Sequence, residues 1–250
     1  MSARADLRVI ESARVDPDLV VLEGFHALKH ALRFGAEITD IFAADPQAVT
    51  ALAADLAPDL IDAFASSTLK TTETEIRRSA PNTPTAVVGV ARRPRPDLQA
   101  LLASRRASPV VLLEDPRNLG NVGAAVRVAA AADVGGVVTT GQADPWDPAA
   151  LRGSAGLHFA LPVGRIENLQ TQRPVLGLTP DGDLLRPAHL PSDAVLAFGT
   201  ERTGLSEELL DQCDARLALP MREAVSSLNL ATAVAAVLFA WRLAADWRGR

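Results

Sequence analysis

Apolar residues along this chain fall into two kinds of run, and their order sets the expected fold. Short continuous runs of strand length occur at residues 110–114 (VVLLE), 136–140, 175–179, 195–199 (VLAFG) and 216–219, the last within ARLALP. Helical spacing occupies 122–132, the neighbourhood of 148–152, 206–212 and the long final stretch. Strand and helix therefore alternate, which predicts a mostly parallel sheet covered on both faces. The first part of the chain is more mixed. It reads as helices over 24–33, within PQAVTALAADLAP and over 71–78, the last capped by Thr72, with strand-like runs at ITDIFAA, IDAFAS and TAVVGVA. Between the two parts lies ARRPRPDL, where Pro94 and Pro96 cannot donate backbone hydrogen bonds and three arginines favour water. The expected organisation is a small α/β domain over 1–91, a basic linker over 92–106 and a larger α/β domain over 107–250.

Composition supports a packed protein, since 48% of the residues are hydrophobic. The lone Cys213 excludes a disulfide framework and a cysteine-rich zinc site, which fits a reducing cytosol. The charged beginning of the chain lacks the apolar core of a secretory signal, so a cytoplasmic location is expected. Asn229, Thr232 and Arg242 interrupt the apolar stretch at 227–247, which favours a buried or partner-packed helix over a membrane span. A net charge of −5 argues against indiscriminate coating of nucleic acid. Local recognition stays open, because Arg92, Arg93, Arg95, Arg105, Arg106, Arg117 and Arg127 gather in one part of the sequence and could form a basic patch for RNA. With no Tyr and 4% aromatics, a stacking platform for single strands is not expected. His26 and His30 share a helix face but have no third ligand, so no metal site is expected.

Three polar clusters carry the candidate chemistry. They are Asn121, Gly123 and Arg127 in NVGAAVR; Gly199, Glu201 and Gly204 in GTERTG; and Ser227 and Asn229 in LPMREAVSSLNLATA. Each follows an apolar strand run, placing polar groups and flexible backbone at carboxyl strand ends, where open α/β sheets build ligand sites. In this order and with these residue types, the clusters resemble the three motifs of the SpoU (TrmH-like) RNA ribose methyltransferases, a branch of the SPOUT superfamily. Asn118 and Gly120 offer a shifted pair, but only Asn121 has its arginine at the motif spacing. The resemblance covers the second domain and implies a SPOUT fold whose C-terminal segment forms a trefoil knot, a rare exception to unknotted topology. It also implies a homodimer through that domain. The segment VLEGFHALKHALRFGAEITDIFAA is similar to the small substrate-binding domain that many members carry, which tilts the expected substrate toward rRNA over tRNA.

The resemblance further implies S-adenosylmethionine as cofactor and a ribose 2′-hydroxyl as methyl acceptor. Gly199 is assigned to close backbone approach, and Leu219, Met221 and Leu228 to the walls of the adenosine slot, although Leu219 and Leu228 also suit an ordinary core. Arg127 is the implied catalytic residue. A guanidinium holds its proton with a pKa above ~12, so we expect a fixed charge that binds phosphate and stabilises the 2′-oxygen, with a true base as the alternative. Glu201 is expected to orient Arg127 or a ribose hydroxyl, and Asn121 to fix its loop or contact substrate. Ser227 suits either capping or substrate contact; Asn229, set in an apolar run, is expected to be buried and functional. A catalytically silent RNA-binding protein of the same fold is the competing reading. A nicotinamide enzyme is disfavoured because no G-x-G-x-x-G follows a strand.

Overall fold

The structure, a computed structural model, describes residues 7–81, 83, 85–200 and 203–248. They divide into two compact units, one of Met1–Arg95 with Ala155–Ala160 and one of Pro96–Ser154 with Leu161–Arg250. The first unit runs α1 (Arg8–Ala13), β1 (Leu19–Glu23), α2 (Phe25–Arg33), β2 (Ile38–Ala43), α3 (Pro46–Leu56), α4 (Ile61–Ser67), β3 (Thr68–Lys70), α5 (Glu73–Ser79) and β4 (Val87–Arg92). Its sheet has the order β1-β4-β2-β3, with β4 antiparallel to both neighbours. Val21, Phe42, Val88 and Val90 from the sheet pack with Ile10 of α1 and Ile76 of α5. Thr72 caps α5 in a reciprocal box with Glu75. IDAFAS, read from sequence as strand-like, is instead the helix α4, and burial explains the switch. Only Phe64 of that helix is buried, stacked on Phe25 of α2 with ring centroids 5.0 Å apart, so the short apolar run serves a one-sided helix.

The second unit contains α6 (Leu98–Ala103), β5 (Val110–Leu113), α7 (Leu119–Ala132), β6 (Gly136–Thr139), α8 (Pro148–Ser154) and β7 (Val163–Arg165). It continues with β8 (Val175–Leu184), β9 (Val195–Phe198), α9 (Glu207–Leu210), β10 (Ala215–Ala218) and α10 (Leu230–Arg248). The segment 92–106 is thus not irregular throughout, because Asp97 caps α6 inside it. All pairings in this sheet are parallel, in the order β10-β8-β9-β5-β6-β7. Every residue of β5, β6 and β9 is buried, as continuous apolar runs require when both faces are covered. On one face Val110, Leu112, Val138, Val195 and Ala197 pack with Leu102 of α6 and with Leu205 and Leu209 at α9. The fold therefore carries the mostly parallel α/β sheet that the alternation predicts.

Two features of α7 decide where the first polar cluster lies. The helix begins three residues earlier than the apolar pattern suggests, because Asn118 is its cap and accepts from the Asn121 N–H at 3.2 Å. Asn121 is therefore helical rather than on a loop. Gly123 faces α8 so closely that an added Cβ would lie 2.1 Å from the Ala150 carbonyl oxygen. Only glycine permits this approach, since the clash is with backbone and no side chain can yield. Gly120 meets nothing closer than the Asn118 side chain at 3.1 Å. Gly123→Ala is accordingly expected to destabilise by about 2–3 kcal/mol, and Gly120→Ala to change little. Thermal unfolding of both variants checks this, and equal midpoints would contradict the close-approach argument.

Candidate active site

Parallel register places three strand ends side by side. Leu113 of β5 pairs with Phe198 of β9, and Phe198 pairs with Leu178 of β8. Beyond this row the chain opens a cavity of about 460 Å3, whose lining includes Gly199, Leu219, Met221, Ser227 and Leu228. Four residues that the sequence assigns to cofactor contact thus meet in one place. Leu219 and Leu228 line the pocket and are not sealed core; Leu228 is 42% exposed.

After β9, Thr200 and Gly204 of the GTERTG segment close a hairpin base through an antiparallel bridge. Thr200 and Gly204 exchange backbone hydrogen bonds at 3.1 Å, and Thr203 N–H donates to Thr200 Oγ1 at 3.1 Å. Gly204 adopts φ +71°, the left-handed region that glycine enters without strain. A Cβ at Gly199 would lie 2.0 Å from the Gly204 carbonyl carbon, so glycine is needed here for the hairpin's own closure as much as for a ligand. Glu201 lies outside the described residues.

The first and third clusters meet through their asparagines. Asn229 Nδ2 donates to Asn121 Oδ1 at 3.0 Å, while Asn229 Oδ1 accepts from the Thr232 N–H at 3.3 Å. Asn229 is therefore the exposed cap of α10, not a buried amide within it, because the helix starts at Leu230. Ser227 stands two residues before that cap, exposed at the pocket edge. Arg242 reaches Asp133, the residue that ends α7, at 3.5 Å. The two helices are tied at both ends of α7 and run in the same direction.

Arg127 is not brought into the pocket. Six positions from Asn121 amount to about 120° around the helix, so the two side chains leave α7 on different faces. Arg127 is exposed and follows Gly123 by one turn, on the side of α8. Four of the seven arginines of the expected basic patch lie in ion pairs. Within the first unit, Arg92 pairs with Glu37 at 2.7 Å and Arg95 with Asp18; within the second, Arg105 pairs with Asp193 at 3.2 Å and Arg117 with Asp115 at 3.3 Å.

Several pocket residues escaped the sequence reading. β8 runs on to Leu184, and its pairing with β10 jumps between Arg216 and Leu217, so residues 178–182 bow out between two paired stretches. Leu178, Thr179 and Pro180 of this bow line the pocket, and the Thr179 hydroxyl is buried with no hydrogen-bond partner among the described residues. Phe198, read simply as strand, is another wall. Cys213 donates to the Leu209 carbonyl at 3.2 Å, and burial raises its thiol above the ordinary value, which disfavours the thiolate. Among the described residues no group of His, Cys, Asp and Glu is placed to hold a metal, and no helix is long and apolar enough to cross a membrane.

Known proteins share this fold. The model of the SpoU rRNA Methylase family matches residues 108–239. A 23S rRNA (uridine(2479)-2′-O)-methyltransferase of Streptomyces viridochromogenes is 30% identical over 171 residues, which cover 62% of this chain and 59%, less than two thirds, of that relative. A 23S rRNA (adenosine(1067)-2′-O)-methyltransferase of Streptomyces azureus is 27% identical over 247 residues, covering 92% of this chain and 88% of the relative. The crystal structure of the SpoU methyltransferase AviRb from Streptomyces viridochromogenes, in complex with AdoMet, matches with a TM-score of 0.76 at 22% identity over 98% of each chain. A second structure, an AdoMet-bound rRNA methyltransferase from Sinorhizobium meliloti, gives 0.76 at 22% identity over 97% of each chain. The α/β fold is the one seen in SpoU methyltransferases, and with more than half of its length matched by the family model, the chain belongs to the SpoU rRNA methylase family.

Proposed function

We propose that this protein is an S-adenosylmethionine-dependent RNA methyltransferase acting on a ribose 2′-hydroxyl, with ribosomal RNA as its substrate class. The observation that carries the reading is the convergence of Gly199, Leu219, Met221 and Leu228 on one cavity at the carboxyl ends of parallel strands. Its volume, about 460 Å3, falls within the usual range for small-molecule sites. Leu178, Phe198 and Met221 supply apolar walls, and the partnerless Thr179 hydroxyl suits a ligand bearing its own hydrogen-bonding groups. The relatives described above act, by their names, on 23S rRNA ribose, which supports rRNA over tRNA.

In this reading the cofactor supplies an electrophilic methyl group, and the protein supplies alignment and charge. Ser227 at the pocket edge and the Asn121–Asn229 pair fix the ground on which the ribose sits. Arg127 binds the target phosphate and stabilises negative charge growing on the 2′-oxygen, whose proton leaves to water or phosphate. Glu201 orients Arg127 or a ribose hydroxyl. Because Arg127 is exposed outside the pocket of its own chain, the reading includes a homodimer built on α7 and α10, in which Arg127 serves the pair. Exposed Thr232, Ala236, Phe239 and Leu243 follow one another at helical spacing on α10 and give such a dimer an apolar seam. The C-terminal trefoil knot, the RNA-binding role of the first unit and a cytoplasmic location belong to the same proposal.

Calorimetric titration tests the cofactor directly: S-adenosylmethionine is expected to bind and NAD is not, and the reverse result contradicts the proposal. Arg127→Ala is expected to slow methyl transfer to rRNA at least about 100-fold, with cofactor affinity within about twofold of wild type because the side chain does not touch the pocket. Arg127→Lys stays slow, having lost the guanidinium fork; near-normal turnover with a lowered apparent pKa in the rate profile would instead identify a true base. Thr179→Val is expected to weaken S-adenosylmethionine binding about 5–10-fold. Its free protein should unfold at the same or a higher temperature, since an unpaired hydroxyl has been removed, and unaltered binding would exclude the hydroxyl from the site.

A further inference from the structure

Glu114 straddles both ends of the GTERTG hairpin. At the entry, its backbone N–H donates to the Phe198 carbonyl at 2.9 Å. At the exit, its carboxylate accepts from the Ser206 N–H at 2.7 Å and from the Ser206 hydroxyl at 2.5 Å. One residue at the end of β5 thus closes the base of a seven-residue excursion, 199–205, that runs between these two points. Ser206 relays the hold onward, because its hydroxyl oxygen also accepts from the Leu209 N–H at 3.2 Å and so caps α9. The hairpin's own bonds, between Thr200, Thr203 and Gly204, are local, and at its exit Leu205 packs into the core beside the Ser206 that Glu114 holds.

We propose that Glu114 is the positioning residue of the pocket wall: its carboxylate, gripping Ser206, sets the placement of Gly199, Thr200, Thr203 and Gly204 around the cofactor. The inference rests on the cofactor reading above. Two charge-assisted bonds to an ionised carboxylate are stronger than their neutral counterparts, and a loop fixed at both ends before binding loses less entropy when the ligand arrives.

The test uses the full chain with sinefungin, a non-reactive analogue of the cofactor, measured by calorimetry together with amide hydrogen exchange. Glu114→Ala, which removes both bonds, is expected to weaken sinefungin by about tenfold, and Ser206→Ala, which leaves the Ser206 N–H on the carboxylate, by less. The double variant should be no weaker than Glu114→Ala alone, since that change already removes both bonds. Glu114→Gln, which keeps one acceptor, should fall between wild type and Glu114→Ala. Exchange should quicken in peptides covering 199–206 and stay at wild-type rates in β5 and β9, which separates positioning from general loss of stability. Wild-type protein that fails to bind sinefungin overturns the cofactor reading itself. Wild type that binds, with Glu114→Ala binding equally, or with losses that add fully in the double variant, overturns the role of Glu114 alone.

Discussion

The register of three parallel strands governs the site. With Phe198 held between Leu113 and Leu178, the next residues along each strand, Gly199, Glu114 and Thr179, emerge at one level of the sheet. A slip of one residue would exchange the two faces of a strand, and because β5 and β9 are buried on both faces every one of their side chains would have to repack. The pocket wall, the Glu114 grip on Ser206 and the Thr179 hydroxyl all inherit their positions from this row.

Helix pairing adds the second constraint. α7 and α10 are linked near both ends of α7, through Asn121 with Asn229 and through Asp133 with Arg242. The first link joins two polar clusters separated by 108 residues, and it is the same Asn229 that caps α10. This arrangement divides labour between two places. The residues proposed to face the cofactor gather in the cavity, whereas Arg127 stands on another face of α7, and that separation is the reason the proposed function includes a second chain.

Much of this was legible in the sequence because it depends on local pattern. Continuous apolar runs marked β5 and β9, small residues marked the hairpin, and the family resemblance carried by the three clusters pointed to Gly199, Leu219, Met221 and Leu228, which line the cavity. What was missed depends on distant partners. Thr179 reaches the pocket because β8 bows out between two stretches paired with β10, a register jump that no local window reveals. Glu114 looked like the last letter of a strand because its partner is 92 residues away. The ion pairs of two patch arginines were hidden for the same reason: Arg92 and Arg105 find carboxylates 55 and 88 residues distant. Asn229 was misjudged by context, since an amide ahead of an apolar helix reads as buried until the helix start is known.

The central claim is methyl transfer to a ribose in ribosomal RNA, and site-resolved mapping of 2′-O-methylation in total RNA tests it most directly. Cells lacking the gene should lose one methylated rRNA position, which wild-type protein restores and Arg127→Ala does not. A methylation map that deletion leaves unchanged would contradict the account.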